Sequence, residues 1–153
     1  MKTQDMTPGR PAFKPSIGET VEWLSKQLLC TIATNGKDGY PNAATVAFSQ
    51  TVDLQIVIIT DKDSRKASNI ASDSKVAVVV TNSDDRYTIQ IEGNARRLTW
   101  DEFVAFSEYH YEKLPFSLPF KDIPGQTPYV IVPTHVRFTD ASVRPWELTE
   151  VAV

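Results

Sequence analysis

The spacing of apolar residues changes along the chain, and the changes divide it into elements. Ile17, Val21, Leu24 and Leu28 recur every three or four positions, which puts them on one face of a helix. Ser16-x-x-Glu19 opens that run as a capping box, so the helix is predicted to begin at Ser16. From Leu29 the pattern turns to strands. "LCTIAT" (29–34), "YPNAATVAF" (40–48), "LQIVIIT" (54–60), "KVAVVVT" (75–81), "RYTIQIEGNARRLT" (86–99) and "YVIVPTHVRFTD" (129–140) are apolar, mostly β-branched and bounded by turn residues, and predict six strands. "NGKDG", "SQTVD" and "NSDD" are turns by composition. Gly93, inside the long fifth strand, predicts a bulge or bend.

Two further helices break the strand series. Ser64 to Ala71 reads as a short one. Thr99-x-x-Glu102 is a second capping box, opening an amphipathic helix to about Lys113 with Phe103, Phe106 and Tyr109 or His110 facing inward. "LPFSLPFKDIPGQTP" reads as a Pro-rich loop and "VRPWELTEV" as an edge segment. Residues 1–15 are polar and Pro-rich and are expected to form a mobile arm, with 16–153 as a single domain. A doubly wound sheet needs a helix between most strand pairs. The expected class is therefore mainly β (α+β): an antiparallel barrel with peripheral helices.

Composition narrows the partners. Sixteen Lys and Arg stand against 19 Asp and Glu, without the basic excess of a nucleic-acid binder. The single cysteine, Cys30, cannot pair within the chain, which fits a cytoplasmic protein. No apolar run approaches the roughly 20 residues of a spanning helix, so no membrane is expected. The first residues lack the apolar core of a signal peptide.

Candidate chemistry centres on "TDKDSRKASNI" (60–70). Asp61-x-Asp63-x-Arg65 is not a calcium loop: the third ligand position is a cation, the sixth is Lys66 and the twelfth is Ser72. His110 and His135 do not form a ligand pair at helix spacing, and no metal site is expected. No Gly-rich dinucleotide fingerprint, Walker loop or Gly-x-Ser-x-Gly elbow is present. Arg96 and Arg97 read as a solvated edge or a subunit contact. A helix start favours acidic residues, yet Arg65 and Lys66 fall in this first turn. Free N–H groups, a serine hydroxyl, a guanidinium and an ammonium together suit a phosphate. The competing reading is that Asp61 and Asp63 neutralise the two cations on a solvated turn.

The order of "DGYPNAATVAF", "LQIVIITDKDSRKASNIASDSKVAVVV" and "RYTIQIEGNARRLT" resembles the pyridoxamine 5′-phosphate oxidase-like family of FMN-binding split β-barrels, over roughly residues 16–140. The resemblance implies a six-stranded antiparallel split barrel, usually a homodimer with FMN in a groove at the subunit interface. It implies that Ser64, Arg65 and Lys66 hold the FMN phosphate, with Ile59 and Thr60 at the strand end beside it. It aligns Ala44, Thr45, Val46 and Ala47 with the strand along the isoalloxazine edge. Thr88, or its neighbour Gln90, falls where the family places a polar contact from the second subunit. Ala44 and Ser49 replace an arginine and a lysine of the founding oxidase, and its C-terminal motif is absent. The implied activity is therefore an FMN-dependent oxidoreductase acting on a small-molecule substrate or electron donor other than pyridoxamine phosphate. The alternatives are a non-enzymatic flavin carrier or redox sensor, and a deazaflavin- or haem-binding relative. No catalytic residue is assigned. Trp146 is expected as a hydrophobic anchor rather than a cover for the ring.

Overall fold

The computed structural model describes residues 11–153. The first helix, α1, spans Ile17–Ser25, and its capping box is formed: Glu19 N–H donates to Ser16 Oγ at 3.2 Å and Ser16 N–H to Glu19 Oε1 at 3.1 Å. It ends before Leu28, which stays exposed instead of continuing the buried face with Leu24. Most of the expected arm lies outside the described residues. Of the remainder, Phe13 stacks on Tyr87 at 5.2 Å, and its N–H donates to Asp140 Oδ2 at 2.9 Å.

Strands β1 (Leu29–Asn35) and β2 (Pro41–Ala47) follow as expected. Ser49–Gln50, expected in a turn, is instead a short strand, β3, paired with β4 (Ile56–Asp61). Leu54 does not begin β4. It adopts a left-handed turn conformation, φ 60°, and its side chain is fully buried. Helix α2 (Arg65–Ser72) leads to β5 (Lys75–Asn82) and β6 (Tyr87–Arg97), and α3 covers Trp100–Lys113 behind the second capping box. The Pro-rich segment holds a 3-10 turn, Pro115–Phe120. The strand after it, β7 (Gln126–Asp140), starts three residues before the predicted Tyr129, because Gln126–Pro128 pair with Ile59–Asp61. The edge segment contains β8 (Glu147–Glu150), paired with β7.

All pairings are antiparallel, in the order β2-β1-β5-β6-β7-β4-β3 with β8 on β7. The strand count is therefore higher than the expected six. The two added to the six are β3, in a stretch that reads as a turn, and β8, in the segment expected at an edge. The sheet curls into a half-barrel around Ile32, Phe48, Ile56, Ile58, Ile89, Ile91, Ile131 and Phe138, all essentially inaccessible. Each such side chain contributes roughly 1.5–3 kcal/mol on burial. The bulge predicted at Gly93 is present: the β6–β7 register shifts between Glu92 and Gly93. A Cβ there would stand 2.5 Å from the Val132 carbonyl oxygen, so glycine lets the two strands approach. No helix among the described residues is long and apolar enough to cross a membrane.

Candidate functional site

Three stretches singled out by sequence converge in the fold: edge strand β2, the end of β4 and the start of α2. Ala47 and Ile59 line one cavity of about 160 Å³. Thr60 Oγ1 donates to Ser64 Oγ at 3.2 Å, and Ser64 Oγ accepts from Ala67 N–H at 3.2 Å as the N-cap of α2. Asn69 Nδ2 donates at 2.9 Å to Asn42 Oδ1, joining α2 to β2. Along β2, Ala43 and Thr45 are exposed while Ala44, Val46 and Ala47 are half-buried. Small side chains and an unpaired outer edge leave this backbone approachable by a flat group.

The start of α2 carries no acidic residue in its first turn. Asp61 and Asp63 make no direct contact with the cations there: among the described residues no ion pair joins either acid to Arg65 or Lys66. The geometry of the turn explains this. Asp61 Oδ1 accepts from Asp63 N–H at 2.7 Å, and Lys62 N–H donates to the Gly125 carbonyl at 2.8 Å. Asp61 thus serves its own turn. Arg65 is exposed and Lys66 half-buried, at a helix end whose dipole favours an anion.

Thr88 and Gln90 lie elsewhere. Ile89 between them is fully buried, so both point to the outer face of β6. Thr88 shares a 2.8 Å hydrogen bond with Thr81. Strands β1 and β5 stand between β6 and β2, a separation of roughly 14 Å across the sheet. Gln90 borders a shallow depression of about 290 Å³ with Thr31, Ala33, Val79, Glu92 and Arg137.

Sequence reasoning passed over a buried polar cluster. His110, which with Tyr109 is a candidate by sequence to face inward from α3, is 2% exposed and borders the cavity beside Ala47 and Ile59. Its Nδ1 lies 2.6 Å from the Oγ of buried Ser49. Burial, with the Lys113 charge adding to it, pulls the His110 pKa down to about 4, so the ring is neutral near pH 7. Lys113 Nζ donates to Gln50 Oε1 at 2.6 Å and to the Leu24 carbonyl at 3.1 Å, and sits 3.9 Å from the centre of the Phe48 ring. Burial pulls Lys113 to about 7 and pushes the Cys30 thiol up to about 12. Tyr111, Ser117, Phe120, Lys121 and Gln126 complete the cavity wall. No local pattern marks these residues, because the partners of α3 lie some sixty positions upstream.

Two other expectations concern Trp146 and the Arg96–Arg97 pair. Trp146 is not an anchor: it is 56% exposed, with the Arg144 guanidinium 5.9 Å from its ring centre. Of the Arg96–Arg97 pair, Arg96 bonds Glu102 at 2.9 Å and both remain exposed at the end of β6. Among the described residues no three His, Cys, Asp or Glu side chains converge to hold a metal.

Comparison with known proteins supplies the family. The fold matches a heme binding protein from Mycobacterium smegmatis (TM-score 0.73, 19% identity, 90% of this chain and 59% of that one). It also matches a protein from Clostridium acetobutylicum related to general stress protein 26 of B. subtilis, of the pyridoxinephosphate oxidase family (TM-score 0.68, 14% identity, 88% and 94%). An F420 reductase is similar as well (TM-score 0.65, 22% identity, 80% and 97%). At these identities the likeness shows the fold alone. By sequence, no curated protein matches the chain. The signature of pyridoxamine 5′-phosphate oxidase, however, matches residues 17–140, the whole span from α1 to the end of β7. The chain therefore belongs to the pyridoxamine 5′-phosphate oxidase family.

Proposed function

We propose that this protein binds FMN and exchanges electrons between it and a small-molecule substrate or donor. The observation that carries the reading is the start of α2, where Arg65 and Lys66 have no ion-pair partner among the described residues. A phosphate there satisfies both cations, the Ser64 hydroxyl and the free N–H groups of the first turn. In this reading Ile59 and Thr60 flank the phosphate, and the backbone of Ala44–Ala47 borders the flavin ring. Bound FMN would supply the electron transfer, while the chain's residues bind, orient and exclude water. The cavity beside Ala47 and Ile59 would receive the substrate. About 160 Å³ is close to the space of one six-membered ring.

The working unit in this reading is a homodimer, because Thr88 and Gln90 face away from their own chain's α2. They would contact the flavin held by the second copy. Cytoplasmic residence belongs to the same reading and fits the buried, unpaired Cys30. Pyridoxamine phosphate is not the expected substrate, since Ala44 and Ser49 bring no charge to the site.

The visible spectrum of the purified protein, followed by chromatography of the released pigment, tests the assignment. An FMN spectrum with steady turnover of a reduced nicotinamide and an acceptor supports the oxidoreductase. FMN without turnover favours a carrier or sensor. A deazaflavin or haem spectrum, the cofactors named for two of the structural neighbours, would overturn FMN. Aldehyde release from pyridoxamine phosphate at the rate of a dedicated oxidase would overturn the substrate inference.

A further inference from the structure

Helix α2 has eight residues, too few to hold itself in place. Its apolar contacts come from Ala67 and Ile70, which are buried in the core. Such contacts turn the apolar face inward but are non-directional, and leave the exact rotation and axial position of a short helix less closely defined. Asn69 provides direction. It is 4% exposed, and its Nδ2 donates at 2.9 Å to Thr34 Oγ1 of β1 and at 2.9 Å to Asn42 Oδ1 of β2. Positions 65 and 66 precede it by four and three residues, so Arg65 and Lys66 lie one turn above it on the same side of the helix. Strand β2 is a sheet edge, paired only with β1.

We infer that Asn69 is a positioning residue: its bridge to Thr34 and Asn42 fixes the distance between the cationic start of α2 and the small-residue edge of β2. The inference rests on the flavin reading above. A ligand with a ring at one end and a phosphate at the other binds as a bivalent molecule. The gain from its second contact depends on how well the spacing of the two subsites matches the ligand. Loosening that spacing lowers the gain without altering either subsite. Asn69 touches neither ring nor phosphate, and its effect is carried by the helix.

The experiment measures FMN and riboflavin dissociation constants for wild type, Asn69→Ala and Asn42→Ala, at a temperature where circular dichroism shows each folded. Asn42→Ala removes one of the two bonds, the one to β2, from the half-buried strand side and carries the test if Asn69→Ala does not fold. The expected result is an FMN affinity lower by about tenfold with riboflavin changed less than about twofold, so that the preference for the phosphorylated ligand collapses. A purely structural role would weaken both ligands alike, and that result overturns the inference. So does an unchanged preference in both variants. Wild type that binds neither flavin would overturn the flavin reading and this inference with it, which separates the two failures.

Discussion

Replacing Arg65 with Ala should act with opposite signs on the empty and the loaded protein. In the empty protein the guanidinium sits at the first position of α2, against the helix dipole, and among the described residues has no ion pair to lose. Its removal should leave stability unchanged or raise it by up to about 1 kcal/mol. In the proposed FMN complex the same change would remove a hydrogen bond to a charged group, worth roughly 1.5–3 kcal/mol. Arg65 is exposed, which favours the lower end, and about 1.5 kcal/mol corresponds to a dissociation constant roughly 12-fold higher. At a free FMN concentration of about 100 times the wild-type constant, ligand stabilises wild type by about 2.7 kcal/mol and the variant by only about 1.3 kcal/mol. Riboflavin, lacking the phosphate, should bind both proteins within about twofold, since no charged hydrogen bond is at stake. Flavin fluorescence titrations give the four affinities, and thermal melts with and without ligand give the stabilities. Equal losses for FMN and riboflavin, or a variant that is less stable when empty, would refute the reasoning. Arg65 would then support the fold rather than a phosphate.

The dimer is checked by sedimentation at micromolar concentration, which should give twice the chain mass; a monomer that still holds FMN tightly contradicts the shared site. His110 is depressed from its ordinary 6.5 to about 4 by burial, so between these values the unfolded chain binds the extra proton. Stability should therefore rise with pH from about 4 to 6.5. Denaturant titrations across that window should show the slope, and it should flatten in His110→Gln. Gly93→Ala drives a Cβ to 2.5 Å from a carbonyl oxygen of β7 and should cost about 1–3 kcal/mol, read as a lower denaturation midpoint. A neutral result there would mean the bulge relaxes freely.

The sequence alone determined what is decided within a few residues. Ser16 with Glu19 and Thr99 with Glu102 form their capping boxes because both partners lie in one turn of helix. The long strands follow from β-branched apolar runs bounded by turn residues, and the bulge from a glycine where two backbones must meet. The contiguous "SRK" at the mouth of α2 was legible for the same reason, since helix polarity fixes the electrostatics of its first turn.

Tertiary structure decided everything that depends on distant partners. Ser49–Gln50 looks like a turn by composition, but pairing with Ile56–Val57 makes it a strand. Gln126–Pro128, lost in a Pro-rich stretch, becomes the start of β7 because the edge of β4 needs a partner there. His110 is neutral because packing beneath α3 buries it beside Lys113, and its Nδ1 is satisfied there by Ser49, 61 positions away. Asn69 reads as an ordinary polar residue of a short helix until two strands bring Thr34 and Asn42 to its amide. The physical reason is common to all four. A buried polar group or an open strand edge is tolerable only when a partner satisfies its hydrogen bonds, and here that partner comes from the strand order of the sheet rather than from the neighbouring residues.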